Sequence, residues 1–344
     1  MTDGLGSRYA LAVPNYTKYG IDGTPIGNSI WDEFGEYQKE FDKIPITIER
    51  FGDGGDRVRI EASPQDREVF VPHFYYANTA AEHTLIGAQI ADALKRAGAA
   101  KIYLLETYNP YYRQDTRTQG EREPVTAGIV ADIYVKSGID RTYVFDPHFR
   151  QLEGFFPSAQ PMTTLDLTEK FAGYLLGKYH KELSAGSVGC ATDDGSVRLT
   201  KRLMKALWHE IDQEEEKTFV VARMDKDRLK EADGVRTNAL FGNVDKDYII
   251  VREDVMGTGT TMKKTVGELR EKNKNANIIV VSSYTGVLPN TILDYFRNEN
   301  IEIVTTDGIP AGVREEFNIM KLAPIIKNVV VEKVRRHSLS DYMA

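Results

Sequence analysis

The sequence holds one cysteine, Cys190, in 344 residues. A single thiol excludes an internal disulfide and any zinc site built on several cysteines, and it fits a reducing compartment. Long apolar runs are also missing: no stretch approaches the ~20 residues of a membrane span. The start, Met1-Thr2-Asp3-Gly4, lacks the basic and apolar regions of a signal peptide. A cytoplasmic protein with no membrane partner is expected. Positive charge is in deficit, since 44 Lys and Arg against 51 Asp and Glu leave a net charge of −7. That balance argues against a general electrostatic grip on nucleic acid, so any phosphate binding must be local. No internal repeat or low-complexity tract is visible.

What is present is material for two cores. Hydrophobic residues make up 41% of the chain, and its length favours two domains. Short apolar runs at Glu68–Pro72, Ile102–Glu106, Thr142–Phe145, Ser187–Ala191, Phe219–Ala222, Tyr248–Val251, Ile278–Val281 and Ile301–Val304 alternate with helical patterns, which predicts parallel α/β architecture. Between the first two, Leu85, Ile86, Ile90, Ala93, Leu94 and Ala97 follow helical spacing, with Asn78 or Thr79 as cap and Gly98 as terminator. Residues 1–45, rich in Gly, Tyr and Asn, read as loop and short elements decorating the first domain. The proline-bearing segment Phe156–Thr164 is the expected junction. It divides the chain into 1–160, with 325–344 packing back on it, and 161–324. Residues 205–217 read as a charged, solvated insertion.

The most informative stretch runs from the strand Tyr248–Val251 into Arg252-Glu253-Asp254-Val255-Met256-Gly257-Thr258-Gly259-Thr260-Thr261 and then a helical pattern. A glycine- and hydroxyl-rich loop at a helix start can turn its N–H groups around a phosphate, with Gly259 allowing close approach. Glu253 and Asp254 then face sugar hydroxyls or Mg²⁺. The same residues also suit an ordinary strand-to-helix connection.

This loop resembles the phosphoribosyl-diphosphate signature. Tyr112-Arg113-Gln114-Asp115, Arg122-Glu123-Pro124 and Ala131-Asp132 resemble the ATP-site region of the ribose-phosphate diphosphokinase family. Asp146-Pro147-His148, Gln151, Gly154-Phe155-Phe156, the turn Arg50-Phe51-Gly52-Asp53-Gly54 and Thr305-Thr306-Asp307-Gly308-Ile309-Pro310 extend the resemblance. It implies an enzyme of nucleotide biosynthesis with two phosphoribosyltransferase-like domains, each a mostly parallel sheet flanked by helices. The implied activity moves the β,γ-diphosphoryl group of ATP to the anomeric hydroxyl of ribose 5-phosphate, with Mg²⁺ as cofactor and AMP released.

The resemblance also implies roles. ATP contacts are Phe51, Asp53, Gly54, Arg113, Gln114 and His148; acceptor contacts are Glu253, Asp254, Gly257, Thr258, Gly259, Thr260 and Thr261; metal contacts are His148 and Asp193. Lys226 and Arg228 resemble the cations of a catalytic flap, with Arg223 a competitor for the first. Plainer readings stand beside these: Arg113 as an ion-pair partner of Asp115 or Glu123, Asp193 as a turn residue, and Lys226 and Arg228 as solvated charge. His73, His83, His180, His209 and His337 carry no motif and read as structural. A homo-oligomer with ATP near a subunit interface is implied.

Five positions depart from the family pattern: Gly55 stands for an acidic residue and Gly128 for a lysine on the ATP side, and three more fall in the acceptor loop. Glu253 and Gly257 stand where the family usually has aspartates, and Thr260 where it has glycine. Losing a carboxylate at the mouth of the cradle weakens repulsion of a second phosphate, so ADP-ribose is an alternative acceptor. A non-catalytic regulatory homologue and a phosphoribosyltransferase are the remaining alternatives.

Overall fold

The computed structural model describes residues 7–15, 26–76, 79–211, 221–225 and 239–335. The chain divides into two compact units. The first comprises Met1–Asp166, Gly308–Ala311 and Lys321–Ala344, and the second Leu167–Asp307 and Gly312–Met320.

The first unit is built from β1 (Tyr9–Asn15), α1 (Ile26–Glu33), β2 (Phe41–Arg50), β3 (Asp56–Ile60), β4 (Glu68–His73), α2 (Ala80–Arg96), β5 (Lys101–Glu106), α3 (Thr126–Lys136), β6 (Arg141–Phe145) and β7 (Met162–Leu165). The second contains α4 (Thr168–Ala185), β8 (Ser187–Ala191), α5 (Val197–Ile211), β9 (Val221–Asp225), β10 (Ala239–Phe241), β11 (Tyr248–Met256), α6 (Thr260–Lys272), β12 (Asn277–Thr285), α7 (Asn290–Asn298), β13 (Glu302–Thr306) and β14 (Asn318–Met320). A last helix, α8 (Ala323–Val334), belongs to the first unit, where Lys327 on it lies 3.5 Å from Glu33 of α1.

Strand order is β3-β2-β1-β4-β5-β6-β7 in one sheet and β10-β9-β8-β11-β12-β13-β14 in the other. Counted from the first strand of each unit, the two orders are the same. In both, only the edge pair, β2 with β3 and β9 with β10, is antiparallel. A structural repeat therefore underlies a sequence that shows none. Strands buried on both faces need only be apolar, and many side-chain sets satisfy that.

Several expectations need correction. Within residues 1–45, Tyr9–Asn15 is no decoration: β1 sits mid-sheet, parallel to both β2 and β4, with Ala10, Leu11 and Ala12 buried. The expected junction holds β7, the last strand of the first sheet, so the division falls after Asp166. Within the expected insertion, 205–211 form the end of α5, and 212–217 lie outside the described residues.

Helix α2 is capped by Thr79, whose hydroxyl accepts from the Glu82 N–H at 3.2 Å. Gly87 lets this helix lie close on the sheet, because a Cβ there would sit 2.9 Å from His73 Nε2 and 3.4 Å from the Tyr134 hydroxyl. Gly87→Ala is expected to lower stability by about 1–2 kcal/mol, the overpacking cost outweighing the gain in helix propensity. Thermal unfolding checks this, and a variant at least as stable as the parent would show that His73 yields freely.

Candidate functional site

In open α/β sheets, ligands bind at strand carboxyl ends where the strand order reverses. In the second unit that point lies between β8 and β11. Thr192 and Asp193 follow β8, and Glu253 and Asp254 lie near the end of β11, which extends past Val251 to Met256. The two carboxylates thus stand on a strand, more rigidly held than on the expected loop. Thr192 closes the gap by donating its hydroxyl to Glu253 Oε2, and its own N–H donates to Ser196 Oγ at 2.9 Å. Asp193 Oδ1 accepts from the Ser196 N–H at 3.0 Å. It therefore holds a turn and also stands close enough for its charge to act on Glu253.

Burial, then the charge of Asp254, push the Glu253 carboxyl up to about 8. Asp193 adds to the shift, while the Thr192 hydrogen bond opposes it. Glu253 and Asp254 crowd each other, and a divalent cation would relieve the repulsion of such a pair of oxygen donors; among the described residues Asp193 does not close a three-carboxylate cluster with them. Arg252, fully buried, supports the strand beneath Glu253. Its guanidinium lies 4.8 Å from the Phe171 ring centre, donates to Ser283 Oγ at 2.7 Å, and donates to the Glu253 carbonyl. Ser282 Oγ accepts from the Met256 N–H at 3.2 Å and fixes the exit of the strand.

Gly257–Thr261 lead into α6. Gly259, at φ +75°, is the cap residue, and no side chain caps the helix. Thr258 and Thr260 are exposed with hydroxyls 3.2 Å apart. At the start of α2 the Thr79 hydroxyl takes up one backbone N–H, whereas no side chain does so at the start of α6. Behind the loop, a Cβ on Gly286 would stand 2.8 Å from the Gly257 carbonyl, so the backbones meet directly.

In the first unit, the predicted ATP residues fall in three separate places. Arg113 and Gln114 are exposed at the end of a 3-10 turn, Pro110–Arg113, beyond β5. Gln114 Oε1 accepts from the Thr126 hydroxyl at 2.5 Å. Asp115 is buried and accepts from Gln151 Nε2 at 3.0 Å, and Glu123 accepts from the Thr118 N–H at 2.9 Å. Among the described residues, neither carboxylate pairs with Arg113. His148, half-buried and edge-on to Phe149 with centres 4.1 Å apart, follows Asp146, whose φ of +42° is rare for a residue with a Cβ.

Phe51, Asp53 and Gly54 form the β2–β3 turn. Phe51 is 51% exposed, Gly54 has φ +91°, and Asp53 Oδ1 accepts from the Gly55 N–H at 3.1 Å. Arg50 ties the base of the turn to Asp56 at 3.1 Å and to Glu82 at 2.5 Å. Lys226 and Arg228 lie outside the described residues. Arg223, on β9, pairs with Asp194 at 2.7 Å. Sequence reasoning missed Thr192 and Ser282, whose roles arise from strand neighbours far apart in the chain. The one available signal was a charged residue, Arg252, inside an apolar strand.

Residues 27–138 match the family model for the N-terminal domain of ribose phosphate pyrophosphokinase. Ribose-phosphate pyrophosphokinases of Helicobacter hepaticus and Campylobacter jejuni are each 28% identical to the chain. The first alignment spans 83% of this chain and 86% of the relative, the second 90% and 95%. The chain is similar to the ribose-phosphate pyrophosphokinases over most of its length. The ribose-phosphate pyrophosphokinase of Streptomyces avermitilis shows a like similarity, 29% identical over 84% of this chain and 85% of its own. The crystal structure of phosphoribosylpyrophosphate synthetase from Mycobacterium smegmatis has the same fold, with a TM-score of 0.75 at 22% identity, covering 96% of this chain and 99% of that one. Among the described residues, no helix is long and apolar enough to cross a membrane.

Proposed function

We propose that the chain transfers the β,γ-diphosphoryl group of ATP to the anomeric hydroxyl of ribose 5-phosphate, releasing AMP. The observation that carries this is the uncapped, glycine-started N-terminus of α6 beside Glu253 and Asp254, in a relative of the ribose-phosphate pyrophosphokinases. The 5-phosphate sits against Gly257–Thr261, where the N–H groups and the helix dipole favour an anion. Glu253 and Asp254 take the ribose hydroxyls or the cation, and this orients the anomeric hydroxyl. Arg113 meets the polyphosphate, Gln114 the adenine, and Phe51, Asp53 and Gly54 complete the ATP site from a neighbouring copy in a homo-oligomer.

The attack at the β-phosphorus is an in-line displacement with no covalent enzyme intermediate, so these residues act by positioning and charge neutralisation. Mg²⁺, when bound, polarises the phosphoryl group and neutralises its charge. Asp193 and the Glu253–Asp254 pair are its proposed protein oxygen donors, and His148 a further contact on the Mg-ATP side. Lys226 and Arg228 are proposed to cover the transferring group and exclude water.

The test supplies ATP, Mg²⁺ and acceptor and follows AMP and product mass. Acceptor-dependent AMP, with a product heavier by one diphosphoryl group, is expected; release of ADP, or AMP formation indifferent to acceptor, would sink the proposal. ADP-ribose belongs in a parallel arm. It offers the same anomeric hydroxyl, and a Cβ at Gly257 would meet nothing within 4 Å, which leaves room for a larger ester. Ribose 5-phosphate is expected to turn over faster, and the reverse order would transfer the reading to the larger acceptor.

A further inference from the structure

Beneath the turn that carries Arg113 and Gln114 lies a closed polar cluster that the chemistry above does not use. Glu106, the last residue of β5, is fully buried. One of its oxygens lies 3.0 Å from His83 Nε2 and accepts from Asn109 Nδ2 at 3.1 Å and from the Tyr134 hydroxyl at 2.5 Å; the other accepts from the Tyr112 hydroxyl at 2.5 Å. His83, Asn109, Tyr112 and Tyr134 are themselves buried. Isolating a carboxylate from water is very costly unless its lone pairs are used. Here α2, α3 and the loop after β5 supply the donors. Burial alone would raise the Glu106 pKa, yet His83 and Tyr112 among its neighbours hold it below the usual carboxylate value.

Two of these donors belong to the ATP-side turn itself. Asn109 is held at both ends of its side chain: Nδ2 donates to Glu106, while Oδ1 accepts from the Tyr111 N–H at 3.1 Å and caps the Pro110–Arg113 turn. Tyr112 reaches Glu106 from within that turn, directly before Arg113. The Gln114 N–H then donates to the Tyr111 carbonyl at 3.0 Å. Asn109 and Tyr112 thus tie the start and middle of the turn to one carboxylate, while its end is held in addition by α3, where the Ala127 N–H donates to the Gln114 carbonyl at 3.2 Å and the Thr126 hydroxyl to Gln114 Oε1.

We infer that Glu106 is a positioning residue, which fixes the Asn109–Gln114 turn through Asn109 and Tyr112 so that Arg113 and Gln114 are already oriented before ATP arrives. The inference rests on the ATP roles proposed for those two residues. Its physical basis is preorganisation: a turn ordered beforehand spares the ligand the entropy of ordering it. A metal is the competing use, because ligand atoms of His73, His83 and Glu106 lie within 4.8 Å of one another. Against it, the Glu106 oxygens are already hydrogen-bonded, and His73 Nε2 faces the His83 carbonyl at 3.0 Å.

The experiment uses the full chain with Glu106→Gln and Tyr112→Phe, each also combined with Arg113→Ala. It measures kcat and both KM values, amide exchange over 109–114, thermal unfolding, and the metal content of the parent. In both single variants, KM for ATP should rise about tenfold with acceptor KM within twofold, and exchange over 109–114 should accelerate while β4 and β5 stay protected. Added to Arg113→Ala, each change should raise KM for ATP by clearly less than it does in the parent, because only the orientation of Gln114 is left to lose. Tyr112→Phe keeps the ring and removes one hydroxyl, so it carries the test if Glu106→Gln does not fold. Unchanged exchange over 109–114, a loss of thermal stability with KM for ATP unmoved, or stoichiometric metal in the cluster would each overturn the inference. If exchange accelerates but Arg113→Ala leaves KM for ATP unchanged, the anchoring of the turn stands and the ATP assignment falls.

Discussion

A Gly259→Ala variant is expected to lose acceptor-dependent turnover by about a hundredfold or more, with KM for ATP within twofold of the parent. Two effects combine at this position. Gly259 has φ +75°, a left-handed conformation that costs a residue with a Cβ roughly 1–2 kcal/mol. The added Cβ would also lie 2.7 Å from Ile292 Cγ2 and 3.3 Å from Leu288 Cδ2. Both neighbours belong to the packed core of the second unit, so the loop must move instead. Any such movement carries the hydroxyls of Thr258 and Thr260 and the free N–H groups of α6 away from the phosphate position. Stability should fall by about 2–4 kcal/mol. Gly173→Ala on α4 is the control. That glycine is exposed, and a Cβ there meets nothing within 4 Å, so the same substitution should leave turnover unchanged and stabilise by up to about 1 kcal/mol. Parent-like kinetics for the acceptor in Gly259→Ala would remove the loop from the site.

The same contrast explains what could be read in the sequence. A left-handed helix cap and a hydroxyl-lined turn demand particular residues at adjacent positions, so Gly257–Thr261 were legible as a string. The long central strands were legible for a related reason: Ile249, Ile250 and Val251 are apolar together because both faces of β11 are covered. Short or polar edge strands left no such trace. In β3, Asp-Arg-Val-Arg-Ile alternates charge with apolar residues, and β10 and β14 each have three residues. The Glu106 cluster was illegible for a deeper reason. His83, Glu106 and Tyr134 sit on three elements whose meeting depends on sheet order, and each residue alone is an unremarkable member of a helix or strand. Asp193 shows an intermediate case: its turn could be read locally, but its approach to Glu253 required β8 and β11 to be neighbours.

Acidification should act on the two units in opposite directions. The Glu253 carboxyl is pushed up to about 8 by burial and by Asp254, against about 4.3 for an unperturbed glutamate. Between those values the folded second unit holds a proton that the unfolded chain lacks. Its stability therefore rises as pH falls from 8, by about 1.4 kcal/mol per unit, until the unfolded carboxylate also titrates. His73 behaves inversely. Burial, then the neighbouring His83, push its imidazole down to about 3, with Glu106 opposing. Below an unperturbed value of about 6.5 the unfolded chain gains the extra proton, so the first unit loses stability at about the same slope. Glu106, held below the usual carboxylate value, adds to that loss at lower pH. Native-state amide exchange at pH 8, 6.5 and 5, without divalent cations, separates the effects. Protection of β11 and β12 should grow as pH falls from 8 to 5; that of β4 and β5 should hold from 8 to 6.5 and then drop by about 2 kcal/mol. Mg²⁺ should abolish the gain in the second unit, because a cation bound by Glu253 and Asp254 holds both carboxylates ionised. Glu253→Gln should remove the same gain and leave the loss in the first unit untouched. A gain that persists in Glu253→Gln would assign the proton to another group, and with it the electrostatic case for a cation at Glu253 and Asp254 would fail.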